Sequence, residues 1–436
     1  MTRYILIGTG VAAIAAAEEI RTHDSAGELD LVGDDPFGYY SRPGLAYYLT
    51  GELDEELLYP YRKEDFLKLK LRFYRARVTR ISPSEKQVEL DNGARLPYDK
   101  LLIATGAQAI PLNISGAALK GVHKLDHLTD ARALLADAKR GRTAIVTGGG
   151  ITALELAEGL AARGLKVHYV LRSARYWSGV LDELESGVIE SLLRQEGINL
   201  HHKSEISEIV GRNGKINAVR LADGRILKAD LLAYAIGIAP RIGLAREAGL
   251  ACERGILVNE SMQTSQPDIY AAGDVAQVFD PASGKHLLDS LWNPAREQGR
   301  AAARSMTGQT VAYAKPPVFN VTRLAGLTVT IIGAVGNQGD PDLLGIARGD
   351  SETWRQVPDV IIAQGGFEVN RLRLMVGETQ LLGAVVMGDQ KLSGPLQAII
   401  GQKTDISPIR TQLLAPNAPI ADLVAQFWST HPSSNH

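Results

Sequence analysis

The stretch RYILIGTGVAAIAAAEEI, at residues 3–20, has the pattern of a buried β-strand, a glycine turn and an α-helix. In a unit of this kind the first glycine, here Gly8, permits a tight turn, and the second, Gly10, lets the backbone approach a pyrophosphate. The helix N-terminus then offers unpaired N–H groups to phosphate oxygens. A secretory signal peptide is the alternative, but both glycines interrupt its apolar core, and Glu18 and Glu19 follow directly.

The same unit occurs a second time in the chain. Residues 143–160, TAIVTGGGITALELAEGL, repeat the apolar run, the glycines and the alanine-rich helix. Further along, VELDNGARLPYDKLLIATG at residues 88–106 matches VRLADGRILKADLLAYAIG at residues 219–237, each with an Asn-Gly or Asp-Gly hairpin turn followed by a buried strand. The sequence therefore predicts an α/β fold with two Rossmann-like dinucleotide-binding domains, each with a β-meander insertion.

Composition and length limit the class of protein. The 436 residues suggest about three domains, and a net charge of -2 gives no general attraction to nucleic acid, which is not expected as a partner. No apolar run approaches the roughly 18 residues of a transmembrane segment. The single cysteine, Cys252, excludes a disulfide within the chain and fits a cytoplasmic location. The nine histidines form no ligand-like cluster, so no metal site is expected.

The residues after the second strand of each unit differ in charge. Asp34 and Asp35 follow that strand in the first unit, where a carboxylate accepts hydrogen bonds from ribose hydroxyls; a solvated turn is the alternative. Arg172 and Arg175 follow it in the second unit, where two guanidinium groups suit a 2′-phosphate; an arginine-containing surface loop is the alternative. We therefore favour NADPH over NADH at the second site, with NADH left open.

Four further segments carry a family resemblance. They are LLIATGA at residues 101–107, AIGIAP at residues 235–240, DIYAAGDV at residues 268–275 and WNPAREQG at residues 292–299. Together with the glycine motifs, they resemble the FAD-dependent pyridine nucleotide-disulfide oxidoreductase superfamily. Within it the likeness is greatest to rubredoxin and ferredoxin reductases and to the flavin part of NAD(P)H nitrite reductases, and it is clear over about residues 1–310.

The resemblance implies a domain organisation and a set of cofactors. Residues 1–115 and 245–314 would form a discontinuous FAD-binding domain, and residues 116–244 an NAD(P)-binding domain. Residues 315–436, which begin beside a Pro-Pro pair, would form a smaller C-terminal α+β domain at the acceptor side or at a homodimer contact. The expected ligands are FAD and either NADPH or NADH.

The motifs and the resemblance together assign the cofactor-binding residues. Those expected at the FAD are Gly8, Gly10, Val11, Ala12, Ala13, Asp34, Asp35, Arg42, Pro43, Val78, Ala104, Thr105, Gly106, Gly273, Asp274, Trp292 and Ala295. Those expected at the nicotinamide nucleotide are Gly148, Gly150, Ile151, Thr152, Glu155, Arg172, Arg175 and Gly237. The resemblance places Asp274 at the ribityl chain and Trp292 at the pyrimidine edge of the flavin. It places Glu155 beside the nicotinamide, with a solvated helix position as the alternative.

The sequence departs from the thiol-using members of this superfamily. The loop expected beside the flavin reads SRPG at residues 41–44, without a cysteine, and Cys252 lies in a separate turn-like segment. Because the cofactors carry the redox chemistry, no side chain is expected to act as a catalytic residue. The resemblance implies an FAD-dependent NAD(P)H oxidoreductase that passes electrons to an iron–sulfur or rubredoxin-type carrier or to a quinone. The alternatives are an NAD(P)H oxidase that uses O₂ and a redox-sensing flavoprotein similar to apoptosis-inducing factor.

Overall fold

The computed structural model of the chain describes residues 1–280, 283–335, 370–415 and 418–430. The first elements are β1 (Arg3–Ile7), α1 (Val11–His23), β2 (Glu28–Gly33), α2 (Gly44–Thr50), the 3₁₀ helix η1 (Glu55–Leu58), α3 (Lys63–Leu69), β3 (Arg72–Arg75), β4 (Val78–Ser82), β5 (Gln87–Leu90), β6 (Arg95–Pro97), β7 (Lys100–Ile103) and β8 (Ala107–Ala109). They are followed by β9 (Val122–Lys124), α4 (Leu128–Asp137), β10 (Thr143–Thr147), α5 (Ile151–Ala162), β11 (Lys166–Val170), α6 (Glu183–Gln195), β12 (Asn199–His201), β13 (Ile206–Arg212), β14 (Lys215–Leu221), β15 (Ile226–Lys228), β16 (Leu231–Tyr234) and β17 (Ile238–Pro240). The last elements are α7 (Gly243–Glu247), β18 (Ile256–Val258), β19 (Ile269–Ala271), β20 (Ala276–Asp280), β21 (Lys285–Leu288), α8 (Trp292–Met306), β22 (Phe319–Leu324), β23 (Leu327–Gly333), β24 (Arg371–Val376), β25 (Leu381–Met387), α9 (Ser393–Gly401), α10 (Ser407–Leu413) and α11 (Ile420–Thr430).

The first structural unit is built on a five-stranded parallel sheet with the order β3-β2-β1-β7-β19. Its central strand β1 is an uninterrupted apolar run, Tyr4 to Ile7, and every one of these side chains is buried. Continuous apolar strands are typical of parallel sheets, because helices cover both faces. Helix α1 lies next to the sheet and α8 packs against α1. The edge strand β19 and helix α8 come from the part of the chain that follows the second unit.

The second unit repeats this arrangement. Its parallel sheet has the order β12-β11-β10-β16-β9, so β10, β11 and β16 take the places that β1, β2 and β7 take in the first sheet. Each unit carries a three-stranded antiparallel meander, β4-β5-β6 in the first and β13-β14-β15 in the second. The short antiparallel pair β8 and β17 joins the two units, with Ala109 opposite Ile238. The predicted α/β fold with two Rossmann-like units and meander insertions is confirmed.

The third unit is the predicted α+β structure. Its antiparallel sheet has the order β22-β23-β25-β24, and helices α9, α10 and α11 follow in sequence. Val424 and Phe427 of α11 are buried in a core that they share with Leu396 and Ile399 of α9. Residues 336–369, which belong to the expected C-terminal domain, lie outside the described residues.

The third unit is packed onto the second one. Leu324 and Val329 of its sheet lie in the same apolar core as the buried residues of α5 and β10. Glu185, in the first turn of α6, is fully buried and accepts a hydrogen bond from Arg373 Nε at 2.8 Å. Arg371 Nη2 donates to the Asp182 carboxylate at 2.7 Å. These contacts hold the C-terminal sheet in a fixed position beside the second nucleotide-binding unit.

Candidate cofactor site

A cavity of about 550 Å³ lies at the carboxyl ends of β1, β2 and β7. Its size falls within the range of small-molecule sites, roughly 300–1,000 Å³. The residues expected at the FAD that line it are Gly8, Gly10, Val11, Ala12, Asp34, Asp35, Arg42, Pro43, Val78, Ala104, Thr105, Gly106, Gly273, Asp274, Trp292 and Ala295. The remaining expected residue, Ala13, is fully buried in the apolar core beneath the turn instead.

The two glycine turns have matching geometry. Gly8 has a φ of +114°, and a Cβ atom on it would lie 2.2 Å from the Ala104 carbonyl oxygen. Gly148 has a φ of +141°, and a Cβ atom there would lie 2.2 Å from the Ala235 carbonyl oxygen. At both positions the conformation and the close approach of the neighbouring strand exclude any side chain. The repeat seen in the sequence is therefore a repeat of backbone geometry.

The start of α1 suits an anionic ligand. The helix begins after Gly10 without a side-chain cap and without an acidic residue in its first turn. No protein atom lies within 4 Å of a Cβ atom built on Gly10, so the space above this residue is open. The unpaired N–H groups of the first turn and the positive end of the helix dipole suit phosphate oxygens. These features fit the pyrophosphate of a dinucleotide such as FAD.

A network of charges forms another part of the cavity wall. Arg42 Nη2 lies 3.3 Å from His127 Nδ1, and Arg241 Nη2 lies 3.0 Å from His127 Nε2. The Asp35 carboxylate is 3.4 Å from His127 Nδ1. Burial acts to raise the pKa of Asp35, but hydrogen bonds from His127 and from the Phe37 N–H outweigh it, so the pKa is lowered. Asp35 is therefore ionised and holds His127 beside the two guanidinium groups.

The sequence analysis missed several of these lining residues. His127 precedes α4 and lies in no motif, so no local signal marks it. Arg241 directly follows the AIGIAP segment, and that position is the one signal that would have drawn attention to it. Arg77 also lines the cavity, where its Nε donates to Asp34 at 2.8 Å. The Asp34 carboxylate at the cavity wall is therefore already paired with the Arg77 guanidinium.

The residues expected at the nicotinamide nucleotide lie at the carboxyl ends of the second sheet. Gly148 and Gly150 follow β10, and α5 begins after Gly150 without a side-chain cap or an early acidic residue. Ile151 and Thr152 are the first residues of α5, and Gly237 follows β16.

Two arginines follow β11 in this second unit. Arg172 is exposed, while Arg175 donates from Nη2 to the Ser178 carbonyl oxygen at 3.3 Å. Within the described part of the chain, neither guanidinium is paired with a carboxylate. Arg172 is therefore open to an anionic group, whereas Arg175 is half-buried, with its Nε buried and one Nη bonded to the backbone.

Glu155 of α5 lines a second, much smaller cavity of about 30 Å³. Its other lining residues include Pro43, which also lines the large cavity, and Glu158 and Arg323. Arg323, from β22 of the third unit, forms an ion pair with Glu52 at 2.6 Å. Burial raises the pKa of Glu158 to about 8. All three structural units therefore contribute residues to this small cavity beside Pro43. The sequence analysis did not place Glu158 or Arg323 there.

The single cysteine lies elsewhere. Cys252 is half-buried in a bridge with Ile256 and packs against the core of the first unit. Burial raises the pKa of its thiol, which disfavours the reactive thiolate. Cys252 is not among the described residues that line either cavity.

Membrane-spanning helices and metal sites are both absent from the described residues. None of their helices combines the length and apolar character needed to cross a bilayer. No three His, Cys, Asp or Glu side chains in those ranges converge as a metal site would require. The cytoplasmic location stays a prediction.

Two Rossmann-like units, with an anion-compatible cavity at the first glycine turn, are the architecture of a protein that binds two dinucleotides. Residues 2–299 match the profile of the family described as Pyridine nucleotide-disulphide oxidoreductase, and the chain belongs to this family. The protein is an FAD-dependent NAD(P)H oxidoreductase that uses NADH or NADPH, as the sequence resemblance implied.

Curated relatives extend the comparison. The chain is 31% identical over 391 residues to the ferredoxin–NAD(+) reductase component of the biphenyl dioxygenase system of Paraburkholderia xenovorans, covering 87% of this chain and 93% of that one. It is 30% identical over 338 residues to the rubredoxin–NAD(+) reductase of Pseudomonas putida, covering 76% and 86%. It is 31% identical over 417 residues to the assimilatory nitrate reductase electron transfer subunit of Bacillus subtilis; 95% of this chain aligns, but only 51% of the relative, about half its length.

Solved structures show the same fold. Putidaredoxin reductase, in its covalent complex with putidaredoxin, matches with a TM-score of 0.82 at 23% identity, and 98% of each chain is covered. The water-forming NADH oxidase from Lactobacillus brevis matches with a TM-score of 0.78 at 20% identity, with 99% of each chain covered. Because one architecture serves both proteins, the fold alone does not identify the electron acceptor.

Proposed function

We propose that the enzyme transfers electrons from NAD(P)H, through its FAD, to a small iron–sulfur or rubredoxin-type carrier protein without using an enzyme thiol. The observation that carries this proposal is the loop at residues 41–44, which lines the large cavity through Arg42 and Pro43 but contains no cysteine. Cys252, the single thiol, lies away from both cavities. A chain without a thiol at the flavin has no side chain that could store the electrons, so they pass to an external acceptor. The ferredoxin and rubredoxin reductases among the relatives support a carrier protein as that acceptor.

In this proposal bound FAD itself would supply hydride acceptance and electron release. The protein binds the cofactor, orients it and stabilises charge on it. The first turn of α1 and the Arg42 guanidinium hold the pyrophosphate. The N-terminus of α8, which begins at Trp292 without an acidic residue in its first turn, directs N–H dipoles toward the pyrimidine edge. Such fixed dipoles favour the negative charge that develops there on reduction.

We also propose that Arg172 and Arg175 bind the 2′-phosphate of NADPH. Both side chains follow β11, where the second ribose of a Rossmann-like site is expected, and neither has a carboxylate partner within the described part of the chain. The ferredoxin and rubredoxin reductases are named for NAD(+), whereas the Bacillus subtilis nitrite reductase is named for NAD(P)H. The names of the relatives therefore differ in the coenzyme that they give, and the two arginines are the feature of this chain that supports NADPH.

The coenzyme test compares kcat/KM for NADPH and NADH in the holoenzyme. R172L/R175L is expected to lose roughly 10–100-fold with NADPH and to change little with NADH, since each charge-assisted hydrogen bond contributes about 1.5–3 kcal/mol. R212L, a matched exposed arginine in the meander of the same unit, is the control. Equal losses with both coenzymes, or a wild type that strongly prefers NADH, would remove the assignment.

The acceptor test starts from enzyme reduced anaerobically with NAD(P)H. Reoxidation is then followed separately with a [2Fe–2S] ferredoxin, a rubredoxin, a quinone and O₂. The proposal expects at least one carrier protein to reoxidise the flavin much faster than O₂ does, with C252A behaving as wild type. Fastest reoxidation by O₂ would establish the oxidase alternative, and slow reoxidation by every acceptor would favour the redox-sensing one. A quinone that outpaces both carriers would likewise overturn the carrier assignment. The homodimer expected from the resemblance stays a prediction.

A further inference from the structure

A buried ion pair lies directly behind the wall of the large cavity. Asp289 is 3% exposed, and its carboxylate is 3.7 Å from Lys315 Nζ, whose side chain is itself 11% exposed. Ser290, the next residue after Asp289, lines the cavity, and so does Asp274, whose charge acts on Asp289. Lys315 belongs to the connection between α8 and β22. The pair therefore lies one residue behind the cavity wall, and one of its members comes from a segment outside both glycine motifs.

The surroundings of this pair contain polar atoms without partners. Asp289 Oδ2, Gln298 Nε2 and the Tyr313 hydroxyl are buried, and none of them meets hydrogen-bond geometry with a described residue, although Asp289 Oδ2 is the oxygen that faces Lys315 Nζ at 3.7 Å. Gln298 Oε1 accepts a hydrogen bond from the Gly273 N–H at 2.9 Å, which links this group to the cavity wall. Burial, and then the nearby Asp289 charge, raise the pKa of Tyr313, so this hydroxyl is neutral. Asp289 Oδ2 is thus an acceptor with capacity for a proton.

We propose that the Asp289–Lys315 pair sets the reduction potential of the bound FAD, and that Asp289 takes up a proton from solvent when the FAD is reduced. Hydride acceptance adds one negative charge to the cavity, and a carboxylate in a poorly hydrated site responds to that charge by binding a proton. Uptake leaves the Lys315 charge uncompensated, which stabilises the added negative charge. This coupling does not depend on which acceptor later receives the electrons.

The direction of the coupling follows from the groups around Asp289. Burial raises its pKa to about 6, the Lys315 ammonium opposes that rise, and Asp274 adds to it. Tyr313 faces the pair as a neutral group, with Glu297 acting on it from α8. Proton binding by Asp289 is therefore expected near pH 6, and negative charge added to the cavity on reduction moves it to higher pH. The potential is therefore expected to rise more steeply with falling pH near this value than flavin protonation alone explains.

The test is a measurement of the FAD reduction potential, by equilibration with reference dyes, between pH 5.5 and 8.5. Holoenzymes of the wild type, D289N, K315M and the exposed-site control D422N are compared, with flavin content measured for each. D289N leaves Lys315 unpaired, so the equilibrium constant for reduction is expected to rise about tenfold above pH 7. One unit charge about 10 Å away, at an effective dielectric constant of about 20, has this effect. D289N is also expected to lose the extra pH dependence.

K315M provides an independent check that does not require Asp289 to be altered. Without the ammonium group, the extra pH dependence is expected to move to higher pH. D422N is expected to match the wild type throughout. If D289N and K315M bind FAD and both follow the wild-type potential at every pH, the pair only supports the fold and the proposal is overturned. Since no acceptor protein is used, this result is separate from any failure of the proposed carrier function.

Discussion

Two alanine substitutions in one glycine turn distinguish backbone strain from cofactor contact. At Gly8 a methyl group would meet the Ala104 carbonyl oxygen at 2.2 Å, and the φ of +114° is unfavourable for alanine. At Gly10 the backbone is extended, with φ -80° and ψ 179°, and no protein atom lies within 4 Å of the added methyl group. We therefore expect G8A to damage the apoprotein, and G10A to leave it intact but to obstruct the pyrophosphate.

The magnitudes follow from these two environments. For G8A, unfavourable backbone geometry contributes about 1–3 kcal/mol and overpacking a further 1–3 kcal/mol, so the apoprotein should lose about 2–6 kcal/mol. For G10A, an alanine at the N-cap of α1 should cost less than about 1 kcal/mol. The same methyl group placed between backbone and pyrophosphate should weaken FAD binding by about 1–3 kcal/mol, which is roughly 10–100-fold in Kd.

The assays are chemical denaturation of each apoprotein and titration of FAD by flavin fluorescence. G187A, an exposed glycine inside α6 with open space around it, is the matched control and should stabilise the protein slightly while binding FAD normally. If G10A folds as the wild type does and binds FAD with the wild-type Kd, the turn before α1 does not hold the pyrophosphate. A G8A apoprotein as stable as wild type would refute the steric argument.

Three further predictions concern single side chains. R373M removes the nearer of two guanidinium partners from the fully buried Glu185, leaving Arg371 Nε at 3.8 Å, and should lower the free energy of unfolding by about 1–3 kcal/mol, measured by urea denaturation; an unchanged transition would contradict this. C252A should keep NAD(P)H-dependent turnover within about twofold of wild type, whereas a loss of tenfold or more would implicate the thiol. Burial raises the pKa of Glu158 from 4.5 to about 8, so ionisation of this carboxyl group is disfavoured in the folded state. The free energy of unfolding of the wild type should therefore fall relative to that of E158Q as the pH rises between these two values. The difference should reach a few kcal/mol and stay constant above pH 8, and a pH-independent difference would be inconsistent with a buried carboxyl group.

The sequence predicted the parts of the site that depend on local backbone pattern. Gly8 and Gly148 each end an apolar strand and precede a helix, and both have the positive φ and close strand contact that only glycine permits. Such a turn is encoded within about ten residues, so no knowledge of distant contacts is needed. The expected residues around Gly106 and Gly273 also line the cavity, because parallel strands bring their carboxyl ends to one edge of the sheet.

The charges that surround the cofactor could not be predicted in the same way. His127 meets Arg42 and Arg241 although about 85 and 114 residues separate the partners in sequence. Arg323 reaches Glu52 across 271 residues. Each of these side chains is a single residue at the end of an element, and periodicity does not distinguish it from a solvated surface residue. Their positions are set by how the three units pack together, which no local pattern encodes.

Both sides of the cofactor site receive charge from beyond residue 299, where the match to the family profile ends. Lys315 contacts Asp289 behind the large cavity, and Arg323 contacts Glu52 beside the small one. A glycine turn of this kind contacts a nucleotide through backbone atoms, so such contacts change only if the turn itself changes. A side-chain charge, by contrast, alters the local potential with one substitution. If the proposed roles hold, side chains of the C-terminal segment can adjust the energy of the electrons without any change in the glycine turns.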